Sequence, residues 1–84
     1  MQITFKLFAS LTDYLPPEAR YTNFITADVP PDTTIGQMIE RHALPDKLVH
    51  LVLVNGTYVP PGERAGYQLK NGDVLAIWPP IAGG

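Results

Sequence analysis

The sequence predicts an α+β fold, a mixed sheet of about five strands with one main helix packed across it. Three observations predict it. Polar and apolar residues alternate with period two in residues 2–8 and again in 21–29, as they do in half-buried strands. A capped stretch of helical spacing stands between two proline stops, and two Asn-Gly turns adjoin apolar, β-rich runs.

The first strand, Gln2 to Phe8, places Ile3, Phe5 and Leu7 on one face and Gln2, Thr4 and Lys6 on the other. A short helical or irregular stretch, Ala9 to Leu15, ends at Pro16-Pro17, and Tyr21 to Val29 then forms a second strand with Ile25, Ala27 and Val29 inward. These strands pair across the intervening loop. Pro30-Pro31-Asp32 stops the strand, and Thr34 with Gln37 forms a capping box in which two side chains satisfy orphan backbone groups. Ile35, Met38, Ile39 and Leu44 follow at helical spacing until Pro45, and they read as core, not as a ligand box. Leu51 to Val54, the Asn55-Gly56 turn and Thr57-Tyr58-Val59 make a hairpin closed by Pro60-Pro61-Gly62. A loop from Glu63 to Lys70, anchored by Leu69, leads to the turn Asn71-Gly72-Asp73, where Asp73 is read as turn chemistry. The last strand, Val74 to Trp78, turns Leu75 and Ile77 inward. The order ββαββ plus a final strand fits a ubiquitin-like β-grasp roll in residues 1–78, with 79–84 as an extended tail.

Composition narrows the chemistry. Eighty-four residues allow one small domain and no deep enclosed active site. The absence of cysteine excludes a disulfide scaffold, a thiolate metal cluster, a CxxC pair and a cysteine nucleophile. Six cations against eight acids give a net charge of −2, and the cations stand singly, so nothing resembles a nucleic-acid-binding stripe. No apolar run approaches the ~20 residues of a membrane span, and no signal segment opens the chain, so a cytoplasmic protein is expected. His42 and His50 are isolated and read as solvated or hydrogen-bonded, and no metal site is expected.

Past Trp78 the sequence runs Pro79-Pro80-Ile81-Ala82-Gly83-Gly84. The prolines fix φ and favour an extended exit from the sheet, while two glycines lack Cβ atoms and fit a channel as narrow as a bare backbone. Such a tail suits an acyl substrate presented to another protein. A carboxylate resists nucleophilic attack, so it must first become a derivative with a good leaving group. Adenylation by ATP supplies one, after which a sulfur nucleophile or an amine displaces AMP.

These residues resemble the small sulfur-carrier proteins of the MoaD and ThiS group. The resemblance rests on Leu7-Phe8-Ala9, Thr34-Ile35-Gly36, Val54-Asn55-Gly56, Asn71-Gly72-Asp73-Val74 and the Pro79 to Gly84 ending, and it covers essentially the whole chain. Length and the Pro-Pro pair favour the MoaD branch, the small subunits of molybdopterin synthase; Trp78 departs from the more usual Phe. The resemblance implies a carrier with no catalytic residues and no bound cofactor of its own, whose Gly84 is adenylated and converted to a thiocarboxylate. It implies an adenylating partner of the MoeB or ThiF type that uses ATP, a sulfur donor such as a cysteine desulfurase or rhodanese, and a large acceptor subunit of the MoaE type. Molybdopterin biosynthesis is the expected pathway; thiamin thiazole or another sulfur-requiring pathway, lysine modification, and a pure interaction module are the alternatives.

Strand parity adds a partner surface. It puts Phe8, Leu53 and Trp78 on the sheet face opposite the helix, a patch of the size that marks interaction sites, unless the segment from Glu63 to Gln68 covers it. Oligomeric state is left open by the sequence.

Overall fold

A computed structural model of the chain describes residues 1–80. Strands β1 (Gln2–Leu7), β2 (Phe24–Asp28), β3 (Leu51–Val54), β4 (Thr57–Tyr58) and β5 (Val74–Trp78) form one sheet in the order β2-β1-β5-β3-β4. β5 runs parallel to β1 and antiparallel to β3, and the other pairings are antiparallel. The mixed five-stranded sheet expected from the sequence is present, with helix α1 (Ile35–Arg41) packed on one face. Ile3, Phe5 and Leu7 of β1, Val52 and Val54 of β3, and Leu75 and Ile77 of β5 meet Ile35 and Met38 in a single core. Among the described residues no helix is long and apolar enough to cross a membrane.

Several local expectations hold. Thr34 Oγ1 accepts from the Gln37 N–H while Gln37 Oε1 accepts from the Thr34 N–H, completing the capping box. Asn55 and Gly56 both have positive φ, 52° and 82°, the requirement of a tight hairpin turn whose twist matches its strands.

β1, β2 and β4 each stop one residue short of the expected ends, at Leu7, Asp28 and Tyr58, and larger differences lie at three places. β2 begins at Phe24 instead of Tyr21, because Tyr21 to Asn23 form a turn in which Asn23 takes φ 60°. α1 stops at Arg41 instead of running to Pro45: the Ala43 N–H donates to the Glu40 carbonyl and the Leu44 N–H to the Ile39 carbonyl, a Schellman closure. Its left-handed residue is Ala43, φ 54°, where glycine is usual, so no sequence signal marks the end. Leu44 is nevertheless buried, because the closure folds it back on the core.

The third difference lies in the segment read as a loop. Pro61–Arg64 forms a short helix, α2, with proline in its first turn. Arg64 is 7% exposed, and its guanidinium donates to the Val59 carbonyl (2.9 Å) and the His50 carbonyl (3.0 Å), joining the end of β4 to the start of β3. Beyond it the chain is strapped to α1. The Ile35 N–H donates to the Tyr67 carbonyl, the Leu69 N–H donates to the Thr33 carbonyl, and Gly36 approaches Ala65 so closely that a Cβ would lie 3.0 Å from the Ala65 Cα.

At the start of β5 the two Asn-Gly turns are tied together. Asn55 donates through Nδ2 to Asp73 Oδ1, and its Oδ1 accepts from the Val74 N–H. Asp73 Oδ2 accepts from the Lys70 N–H, and Asn71 Oδ1 accepts from the Gln2 N–H.

Gly36→Ala forces backbone against backbone and is expected to destabilise the fold by about 1–3 kcal/mol, read as a lower urea midpoint at constant m-value. Ala43→Gly relieves the left-handed Cβ clash and is expected to stabilise by about 0.5–1 kcal/mol, less than the clash itself because glycine gains entropy in the unfolded chain. Thermal unfolding of the two variants checks both signs.

Candidate functional site: the open sheet face and the root of the tail

The face opposite α1 is built by the register of β5. Leu7 is level with Ile77 in the parallel pair, and the Phe8 N–H donates to the Ile77 carbonyl at 3.2 Å, so Phe8 continues the strand direction beyond β1. Its backbone is extended (φ −120°, ψ 157°), and the chain turns away only at Ala9, φ 53°. Phe8 therefore falls beside Trp78. Their rings stack with centroids 4.1 Å apart and planes 3° from parallel, a contact worth about 0.5–1.5 kcal/mol beyond area burial. Both side chains are half-buried.

Leu53 shares the face but stands one pair further along, opposite Ala76 on one side and Tyr58 on the other. The residue opposite Trp78 is Leu51, which sequence reading passed over. Parity alone could have found it, since Leu51 and Leu53 are two apart on one strand and equally half-buried. Lys6 and Phe24 form a cross-strand pair toward the β2 edge, where Phe24 is 45% exposed. Of the segment from Glu63 to Gln68, Ala65 and Tyr67 lie against α1 on the other side of the sheet, and Arg64 reaches the β4 edge, its guanidinium 5.9 Å from the Tyr58 ring centroid.

The tail leaves from this same place. The Trp78 carbonyl accepts from the His50 N–H at 3.0 Å. Pro79 and Pro80 then bring no N–H to continue the ladder. Pro79 is half-buried and Pro80 exposed; Ile81, Ala82, Gly83 and Gly84, the rest of the sequence-predicted threading segment, lie outside the described residues.

His42 packs on the buried Phe5 with ring centroids 4.4 Å apart and planes tilted by 32°, its Nδ1 3.0 Å from the Met38 carbonyl, and His50 is exposed at the root of the tail. Among the described residues no three His, Cys, Asp or Glu side chains gather as a metal site. A cleft of about 370 Å³ between α1 and α2, lined by Gly36, Ile39, Glu40, Val49 and Arg64 among others, contains none of the candidate interface or tail residues.

The stack predicts an optical signature. Trp78 is the single tryptophan, so Phe8→Ala is expected to red-shift its emission and increase quenching by acrylamide while leaving far-UV circular dichroism unchanged.

A family model described as Mut7-C ubiquitin matches residues 1–82. No curated protein matches the chain. Among solved structures, SAMP1 from Haloferax volcanii is 26% identical over the whole of both chains, with a TM-score of 0.68. Urm1 from Trypanosoma brucei is 19% identical over 99% of this chain and 95% of that one, TM-score 0.68. A protein-protein complex of subunits 1 and 2 of the molybdopterin-converting factor from Helicobacter pylori matches at 16% identity over the whole of both chains, TM-score 0.61. The last two show the fold alone, and the expected ubiquitin-like β-grasp roll is the fold they share with this chain.

Proposed function

The chain belongs to the Mut7-C ubiquitin family, and on that footing we propose that it is a ubiquitin-like sulfur carrier whose Gly84 carboxyl is the group acted upon. One observation carries the reading. The stacked Phe8 and Trp78 pair sits at the residue where Pro79-Pro80 ends the ladder, so one partner can grip the face and receive the tail. Large aromatic side chains half-exposed in an apolar surround are the side chains that anchor interfaces. The glycines at 83 and 84 let the acyl end enter a narrow channel.

The chain's own part is binding and presentation. An adenylating partner of the MoeB or ThiF type joins a Gly84 carboxylate oxygen to the α-phosphorus of ATP, and pyrophosphate leaves. The terminal sulfur of a persulfide on a cysteine desulfurase or rhodanese then attacks the acyl carbon and AMP leaves; a thiol attacks the inner sulfur of the resulting acyl disulfide, forms a disulfide with it and releases the thiocarboxylate. Phe8, Leu53 and Trp78 hold the partner, and the segment from Pro79 to Gly83 spans the distance to its active site. Molybdopterin assembly with a large acceptor subunit of the MoaE type is the pathway we favour. Its support is the likeness to the Helicobacter pylori complex, whose two subunits belong to a molybdopterin-converting factor. Use of the same activated carboxyl to modify lysine amines is the second reading, favoured by the 26% identity to a protein described as small archaeal modifier protein 1.

Incubation with an adenylating partner, ATP and sulfide is expected to exchange one oxygen for sulfur by intact mass, and removal of Gly84 is expected to abolish the exchange without changing the unfolding midpoint. An unchanged mass with every adenylating partner of the same organism would refute the carrier reading. Isopeptide adducts formed in place of the thiocarboxylate would establish the modifier reading instead.

A further inference from the structure

Among the described residues β2 is an edge strand, and its one charged residue, Asp28, stands at its end. Phe24-Ile25-Thr26-Ala27-Asp28 has no proline, no lysine and no glycine, and its five residues pair with β1 in unbroken register. The bonds that flank it fix which residues face outward. The Leu7 N–H donates to the Asn23 carbonyl, the Val29 N–H donates to the Met1 carbonyl, and the Met1 amine donates to the Val29 carbonyl. In an antiparallel ladder these groups alternate, so Ile25 and Ala27 spend their backbone groups on β1. Phe24, Thr26 and Asp28 turn theirs outward, and no side chain among the described residues bonds to them.

The geometry points to a second copy of this chain as the occupant of that edge, in an antiparallel β2–β2 pair centred on Thr26. This register uses the whole strand. Thr26 lies opposite its own counterpart, Phe24 opposite Asp28, and Ile25 opposite Ala27, with about six backbone hydrogen bonds across the junction.

Charge complementarity selects the same register. Lys6 lies directly across β1–β2 from Phe24, on the open face of the sheet. In the pair, Asp28 of the other copy takes the place on the far side of Phe24. Lys6 and that Asp28 are then two strand spacings apart, about 9.6 Å between backbones. A lysine and an aspartate side chain span this distance over the Phe24 ring, which is 45% exposed in the single chain. The two-fold axis repeats the pair, so each copy supplies one cation and one anion. On the helix side, half-buried Ile25 covers the other copy's half-buried Ala27.

The assembly is compatible with the proposed carrier role and does not depend on it. Phe8, just past the end of β1, and Trp78 of β5 lie inward of the junction and stay open. The antiparallel junction sends the two Pro79 exits to opposite ends of a ten-stranded sheet, about five strand spacings or ~24 Å apart laterally.

Sedimentation velocity and amide exchange of the full chain over a concentration series test the pairing. The expected result is a monomer–dimer equilibrium in which exchange at the Thr26 amide slows as concentration rises. Thr26→Pro removes an outward donor that an edge strand can spare and is expected to abolish the dimer. Lys6→Asp is expected to weaken it about fivefold, and Lys6→Asp combined with Asp28→Lys to restore it, a recovery that a folding defect would not produce. A chain that stays monomeric at millimolar concentration, a dimer that survives Thr26→Pro, or a charge exchange that fails to restore association would each overturn the proposal.

Discussion

The register of β5 is the constraint on which everything else depends. This strand lies between β1 and β3, so its two ladders join the beginning of the chain to its later half. Side chains alternate with period two, and a slip of one residue would expel Leu75 and Ile77 from the core and drive Trp78 into it. The tie at the head of the strand prevents this. Asn55, Asp73 and Asn71 hold the backbone of Val74, Lys70 and Gln2, so three separate segments are indexed to one another before the ladder begins. The Phe8–Trp78 stack indexes the other end. One register therefore seals the core on one face, assembles the aromatic pair on the opposite face and sets the point at which the tail departs.

Much of this was legible because strand parity and turn chemistry are local. Ile3, Phe5 and Leu7 announce their face by alternation, Asn55-Gly56 announces its hairpin, and Thr34 with Gln37 announces a helix start. The end of α1 was not legible, since a Schellman closure with Ala43 in the left-handed position lacks the glycine that would mark it. Leu44 kept its helical spacing by coincidence and its burial by the closure. Arg64 read as one more isolated cation because its partners are backbone carbonyls of Val59 and His50, which no side-chain pattern encodes. At the candidate site, Phe8, Leu53 and Trp78 followed from parity, whereas their arrangement required the pairing of β5 with β1 and β3. Parity also put Leu51 on this face beside Leu53, but its place opposite Trp78 followed only from that pairing.

Of the five non-glycine residues with positive φ among the described residues, two are alanines, whose side chain offers no hydrogen bond to offset the conformation. Ala9 turns the chain directly after Phe8, and Ala43 closes the helix behind the core. Each holds a Cβ where roughly 1–2 kcal/mol of steric cost is expected. At Ala9 the cost falls on the residue directly after Phe8, the point where the chain leaves the strand direction that brings Phe8 to Trp78. A cysteine-free chain of this size concentrates its specificity in shape: a sheet face, a stacked pair and a proline-terminated ladder.

The parallel pairing of β1 with β5 also gives the molecule a history. During synthesis β1 emerges first and finds β2 within a few tens of residues, but its other edge waits until residues 74–78 have been made. Until then Ile3, Phe5 and Leu7 have only half a sheet, Phe8 has no ring to stack upon, and the surface that would greet a partner does not exist. Folding of so non-local a contact is slow compared with that of hairpins, so completion of the recognition face reports completion of the domain. The proposed carrier role would therefore draw on a contact, Phe8 with Trp78, that exists only once β5 has been laid beside β1.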